Sequence, residues 1–84
     1  MILAWSSKGW EDYLYWQATD RQVLKRINIL IKGIRQHPHE GIGNPEPLRH
    51  NWSGYWSRRI DRERRLIYKV ENETILIVQC RYHY

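Results

Sequence analysis

Gly54-Tyr55-Trp56-Ser57-Arg58-Arg59-Ile60, then Asp61-Arg62-Glu63-Arg64, then Arg65-Leu66-Ile67-Tyr68-Lys69-Val70 is the stretch that decides the fold. Two runs rich in β-branched and aromatic residues, separated by a short polar connection, predict two antiparallel strands. A third run, Thr74 to Tyr82, follows Glu71-Asn72-Glu73 and extends the pair into a meander. On that last strand, simple alternation puts Leu76, Val78, Cys80 and Tyr82 on one face and Ile75, Ile77, Gln79, Arg81 and His83 on the other. Upstream, three prolines and two glycines between His37 and Pro47 cannot sustain either regular period, so this stretch is a loop.

Before the loop, Val23, Ile27, Leu30, Ile31 and Ile34 trace one apolar helical stripe, opened by Thr19-Asp20-Arg21-Gln22 in the form of a capping box. Trp10, Tyr13, Leu14 and Gln17 mark the inner face of an earlier helix, which Ser6 or Ser7 can cap. Two helices joined this tightly form a hairpin. Met1 to Trp5 reads as a short strand. The expected fold is α+β: an N-terminal short strand and a helical hairpin packed on one face of a small antiparallel sheet, with residues 1–84 as one domain.

The chain carries 14 Lys+Arg against 9 Asp+Glu, a formal net charge of +5. Arg49, Arg58, Arg59, Arg62, Arg64, Arg65 and Lys69 face only Asp61 and Glu63 between positions 49 and 69, so that segment accounts for the whole excess. Arginine predominates there, and its planar fork suits phosphate, which points to a polyanionic partner; the alternative is a solvated basic face. A single cysteine, Cys80, excludes an internal disulfide and a cysteine-based zinc site, and suggests a reducing, cytoplasmic setting. Ile75-Leu76-Ile77-Val78 is far short of a membrane span, and Met1 to Trp5 lacks the form of a signal peptide.

Polar residues on predicted strands (Ser57, Arg58, Arg59, Arg65, Gln79, Arg81 and His83) suggest an open sheet face able to meet a ligand or only water. With Asn44-Pro45-Glu46-Pro47 beside them, they supply a carboxylate, an imidazole and several arginines. These are the parts needed for metal-free RNA cleavage, in which a base takes the 2′-hydroxyl proton, an acid protonates the leaving 5′-oxygen and cations stabilise the phosphorane. Glu46 and His83 lie 37 positions apart, so spacing alone does not pair them. Trp52, Tyr55 and Trp56 could stack on bases or belong to the core. His37-Pro38-His39-Glu40 lacks a third nearby ligand and reads as a loop with solvated histidines, and Cys80 as a buried thiol.

Trp10-Glu11-Asp12-Tyr13-Leu14-Tyr15-Trp16-Gln17, Pro45-Glu46-Pro47-Leu48, Trp56-Ser57-Arg58-Arg59-Ile60 and Cys80-Arg81-Tyr82-His83-Tyr84 together resemble the YoeB toxins of the RelE superfamily, along the whole chain. The resemblance implies a microbial-ribonuclease-like fold and a toxin that cuts mRNA in the ribosomal A site without a cofactor or metal. It implies a YefM-type antitoxin partner, contact with operator DNA only through the antitoxin complex, and a possible homodimer. Carried over by position, it makes Glu46 the base, His83 the acid and Arg65 the phosphate stabiliser, with Tyr84 shaping the site. Arg49 and Arg59 then bind substrate, as do Tyr55 and Trp56 in the stacking reading. Two alternatives of other classes are a translation blocker that binds RNA or the ribosome without cutting, and a protein acting mainly as a co-repressor with its antitoxin.

Overall fold

The computed structural model describes residues 1–83; Tyr84, with its expected role in shaping the site, lies outside them. Among the described residues the order is β1 (Ile2–Trp5), α1 (Ser7–Thr19), α2 (Arg21–Gln36), β2 (Glu46–Pro47), a 3₁₀ turn (His50–Trp52), β3 (Trp56–Arg59), β4 (Arg65–Glu71) and β5 (Thr74–Gln79). The strands form one sheet in the order β1-β5-β4-β3-β2. The meander β3-β4-β5 is antiparallel as expected, but β1 joins β5 in parallel, so the sheet is mixed. The loop also contributes a strand, because Glu46 and Pro47 pair with Ser57 and Trp56. Asn72 and Glu73, at φ of 53° and 60°, close β4 onto β5 with both residues left-handed, which matches the twist of the paired strands.

Asp20 caps α2, accepting hydrogen bonds from the Gln22 and Val23 amides, rather than Thr19, whose hydroxyl donates to Tyr15 O. The expected α2 stripe is the one that packs: Ile27, Leu30, Ile31 and Ile34 are buried, with Val23 at their margin. On α1, by contrast, Trp10 and Leu14 are exposed, and the inward face is Gly9, Asp12 and Trp16. The reason is a close approach: a side chain at Gly9 would run into the Ile77 carbonyl, so the helix rests its narrowest face on β5.

Leu66, Tyr68, Ile75 and Ile77 meet the helices from the sheet and are fully buried. Alternation along β5 does not survive intact. Ile67 pairs with Gln79 but Tyr68 pairs with Ile77, so one step on β4 spans two on β5 and Val78 is the extra residue of a bulge. The expected grouping is therefore corrected: Ile75, Ile77 and Cys80 face the helices, while Gln79 turns to the opposite face with Ile67.

Candidate active site

The sheet face away from the helices is read from its register. Glu46, Ser57, Ile67 and Gln79 form one row across β2, β3, β4 and β5. Two residues along, Arg59 and Arg65 form the next row. Arg58 was expected on this face, but strand alternation turns it to the helix side opposite Leu66, where it is fully buried. Its guanidinium donates to the carbonyls of Ile42, His37 and Glu40 and to Tyr68 Oη, and Tyr68 in turn donates to Pro38 O. Arg58 thus holds the 37–42 loop by its backbone.

That loop leads into the site. Gly43, at φ 84°, brings its carbonyl 2.7 Å from the Arg59 amide, in a position where a side chain would collide with Leu30. Asn44 follows at φ 51°, and its side-chain amide donates to Glu46 Oε1 at 3.2 Å. The same oxygen lies 3.5 Å from Arg65 Nη1. The pair is asymmetric: the Arg65 side chain is 14% exposed and that of Glu46 51%, so a largely covered cation backs a carboxylate open to solvent. Ser57 is fully buried in Glu46's row, its hydroxyl without a hydrogen-bond partner among the described residues. The sequence places Asn44 and Ser57 near this face, but their position beside Glu46 follows only from the strand pairing and the Asn44 turn.

The C-terminal tail meets the backbone of Arg65. The Arg65 amide donates to Tyr82 O at 3.0 Å, so Arg65 touches Glu46 with its side chain and the tail with its backbone. Cys80 fixes the tail one step earlier. Its amide donates to Asp12 Oδ2 at 3.0 Å and its carbonyl accepts from Trp16 Nε1 at 2.9 Å. Asp12 is buried, and its other oxygen lies 3.0 Å from Lys8 Nζ. The Lys8 ammonium is held above the usual lysine range, chiefly by its hydrogen bond to Asp12. Burial pushes the Cys80 thiol up to about 12, consistent with an inert thiol rather than a nucleophile. Beyond Cys80, the Arg81 guanidinium stacks 3.5 Å from the Tyr15 ring centre, and exposed His83 lines a groove of about 620 Å³ with Tyr15, Arg64 and Arg81.

Arg49 is exposed just before the 3₁₀ turn, and Glu46, Arg49, His50 and Trp52 share a cleft of about 320 Å³. Tyr55 is half-buried with Lys69 Nζ 5.2 Å from its ring centre. Trp56, expected beside the substrate, pairs with Tyr68 on the helix side, packs against the core and stacks on His39 at 4.4 Å; alternation separates it from Glu46. His37, His39 and Glu40 are exposed, His39 beside the Trp56 ring and the other two joined to the Arg58 clamp by their carbonyls alone, and no three potential metal-ligating side chains gather among the described residues. Among those residues no helix is long and apolar enough to cross a membrane.

A small mixed sheet under a helical hairpin thus carries a carboxylate–arginine pair on its open face, with the C-terminal tail bonded to the same arginine. Residues 5–84 match the model of the YoeB-like toxin of bacterial type II toxin-antitoxin systems, and the chain belongs to that family. It is 58% identical to Toxin YoeB of Escherichia coli K12 over the full length of both chains. Among solved structures, a YoeB/ParE toxin from Agrobacterium tumefaciens superposes with a TM-score of 0.97 at 43% identity, covering 100% of both chains. The Staphylococcus aureus YoeB, solved as a dimer and in complex with YefM, superposes at 0.93 in each case, with 45% and 44% identity over 100% of this chain and 98% of that one.

Proposed function

We propose that this toxin is a ribosome-dependent endoribonuclease that cuts mRNA in the A site by attack of the 2′-hydroxyl, without a metal. The observation that carries the reading is the Glu46–Arg65 pair, with Arg65 hydrogen-bonded through its amide to the tail that bears His83. Glu46 takes the 2′-hydroxyl proton as O2′ bonds to phosphorus. The P–O5′ bond breaks, and His83 returns a proton to O5′. The products are a 2′,3′-cyclic phosphate and a 5′-hydroxyl. Charge on the phosphorane falls to Arg65 and Arg59, preset cations of the kind whose removal costs about 10²- to 10³-fold in rate. Arg49 and Tyr55 bind the strand, and Tyr84 completes the site from the C-terminus.

The same basic face suits an acidic antitoxin segment of YefM type, which would exclude RNA while bound; the dimer of the Staphylococcus aureus YoeB supports a homodimer as a second assembly. Operator DNA is reached only through the antitoxin complex, and the working compartment is the cytoplasm. The test is primer extension on a defined mRNA in a purified translation system, with wild type, Glu46→Gln and His83→Gln, with and without ribosomes. New 5′ ends in the A-site codon, only with ribosomes and lost in both variants, are expected. Intact mRNA under full inhibition of translation would instead favour a blocker that binds without cutting.

A further inference from the structure

Trp52 has no part in the reaction just described, yet it lines the cleft that Glu46 borders. Glu46 forms one wall of the 320 Å³ cleft, Pro47 and Leu48 continue it, and Arg49, His50 and Trp52 complete it. The wall is built rather than loose. His50 adopts a left-handed φ of 57°, Ser53 and Tyr55 donate their amides to His50 O and Trp52 O, and Leu48 donates to Tyr55 O. Tyr55 precedes Ser57, of Glu46's row, by two residues, about 6.6 Å along an extended chain. Its ring meets that of Trp52 edge-to-face at 5.4 Å. On the side of Glu46 away from Arg59 and Arg65, the surface therefore offers aromatic rings beside Arg49, with Lys69, itself 3.4 Å from Glu71, against the Tyr55 ring. That combination suits a stacked base with its phosphate.

The proposed reaction gives this surface a direction. The base acts on the nucleoside 5′ of the cut, which owns the attacking 2′-oxygen, and the acid acts on the nucleoside 3′ of it, which owns the leaving oxygen. Glu46 borders the Trp52 cleft, whereas His83 belongs to the tail beyond Arg65. We infer that the Trp52 cleft is the subsite for the base of the attacking nucleoside, and that RNA runs 5′ to 3′ from Trp52 towards the C-terminal tail. The inference rests on the endoribonuclease reading and adds strand polarity and a specificity-determining residue to it.

The test uses 5′-labelled mRNA in ribosome complexes, once the cut is mapped, with an abasic nucleoside that retains its 2′-hydroxyl placed on either side of the cut. Wild type, Trp52→Ala and Trp52→Phe are compared. Stacking of one base predicts a loss of about 10-fold for Trp52→Ala, with Trp52→Phe restoring most of it. The 5′ abasic site should slow wild type by a similar factor and leave Trp52→Ala no slower, because both remove one contact. The 3′ abasic site should slow wild type and Trp52→Ala equally. Independent losses at the 5′ site, or coupling of Trp52 to the 3′ base, would overturn the assignment while cleavage by wild type preserved the enzyme reading. If wild type cut no mRNA, both would fall together.

Discussion

Replacing Asp12 by alanine is the sharpest stability test of how the tail is held. Asp12 is 1% exposed, and its Oδ2 receives the Cys80 amide at 3.0 Å. A hydrogen bond to an ionised acceptor contributes about 1.5–3 kcal/mol, and alanine also leaves the buried Cys80 N–H without its partner. The expected loss is about 3 kcal/mol. For a domain of this length each kcal/mol lowers Tm by about 4–8 °C, so a fall of about 12–24 °C is expected. Asp12→Asn keeps an oxygen within reach of the amide and should lose roughly half as much. Lys8→Ala takes the cation from the buried Oδ1 while Oδ2 keeps the Cys80 amide, and should cost about 1–2 kcal/mol, less than Asp12→Ala. Urea unfolding followed by tryptophan fluorescence reads all three, because Trp16 bonds to the Cys80 carbonyl. Asp12→Ala as stable as wild type, or no worse than Lys8→Ala, would refute the argument that α1 anchors the tail through Cys80.

Glu46→Gln should leave urea stability within about 1 kcal/mol, because the half-exposed pair with Arg65 is weak, while cleavage falls by about 10²- to 10⁴-fold; equal effects on both would contradict a chemical role. Arg58→Leu should cost about 3–5 kcal/mol and open the 37–42 loop to proteolysis, since three carbonyls lose their donor at once; resistance to protease at wild-type levels would count against the clamp. Alkaline stability should follow Cys80. With the thiol at about 12 when folded and 9.0 otherwise, the unfolded chain holds fewer protons between those values, so stability is complete below pH 9 and falls as pH rises towards 12. The slope is about 1.4 kcal/mol per pH unit. Tyr68, also raised by burial, steepens the fall above pH 10. Cys80→Ala should show a shallower fall in that window by urea titration, and an unchanged slope would show that the thiol does not titrate there.

The residues along the chain determined the α2 stripe and the three meander strands, because each follows from local periodicity: Ile27, Leu30, Ile31 and Ile34 pack as their spacing dictates. Glu46 and Arg65 are separated by 19 positions, and only the pairing of β2, β3 and β4 brings them together. Period two also applied within Ser57-Arg58-Arg59, and it alone separates buried Arg58 from the Arg59 of the open face. Other features depended on partners distant in sequence. The bulge at Val78 reverses the facing of Gln79 and Cys80, and no local property of Ile75 to Cys80 announces it. Gly9 decides which face of α1 is buried only because the Ile77 carbonyl lies against it. Asp12 reads as an ordinary helix acid until Cys80, 68 positions away, supplies the amide that makes it the anchor of the tail. Periodicity records which side chains avoid water; which backbone atom stands opposite them is settled only when the elements close on one another.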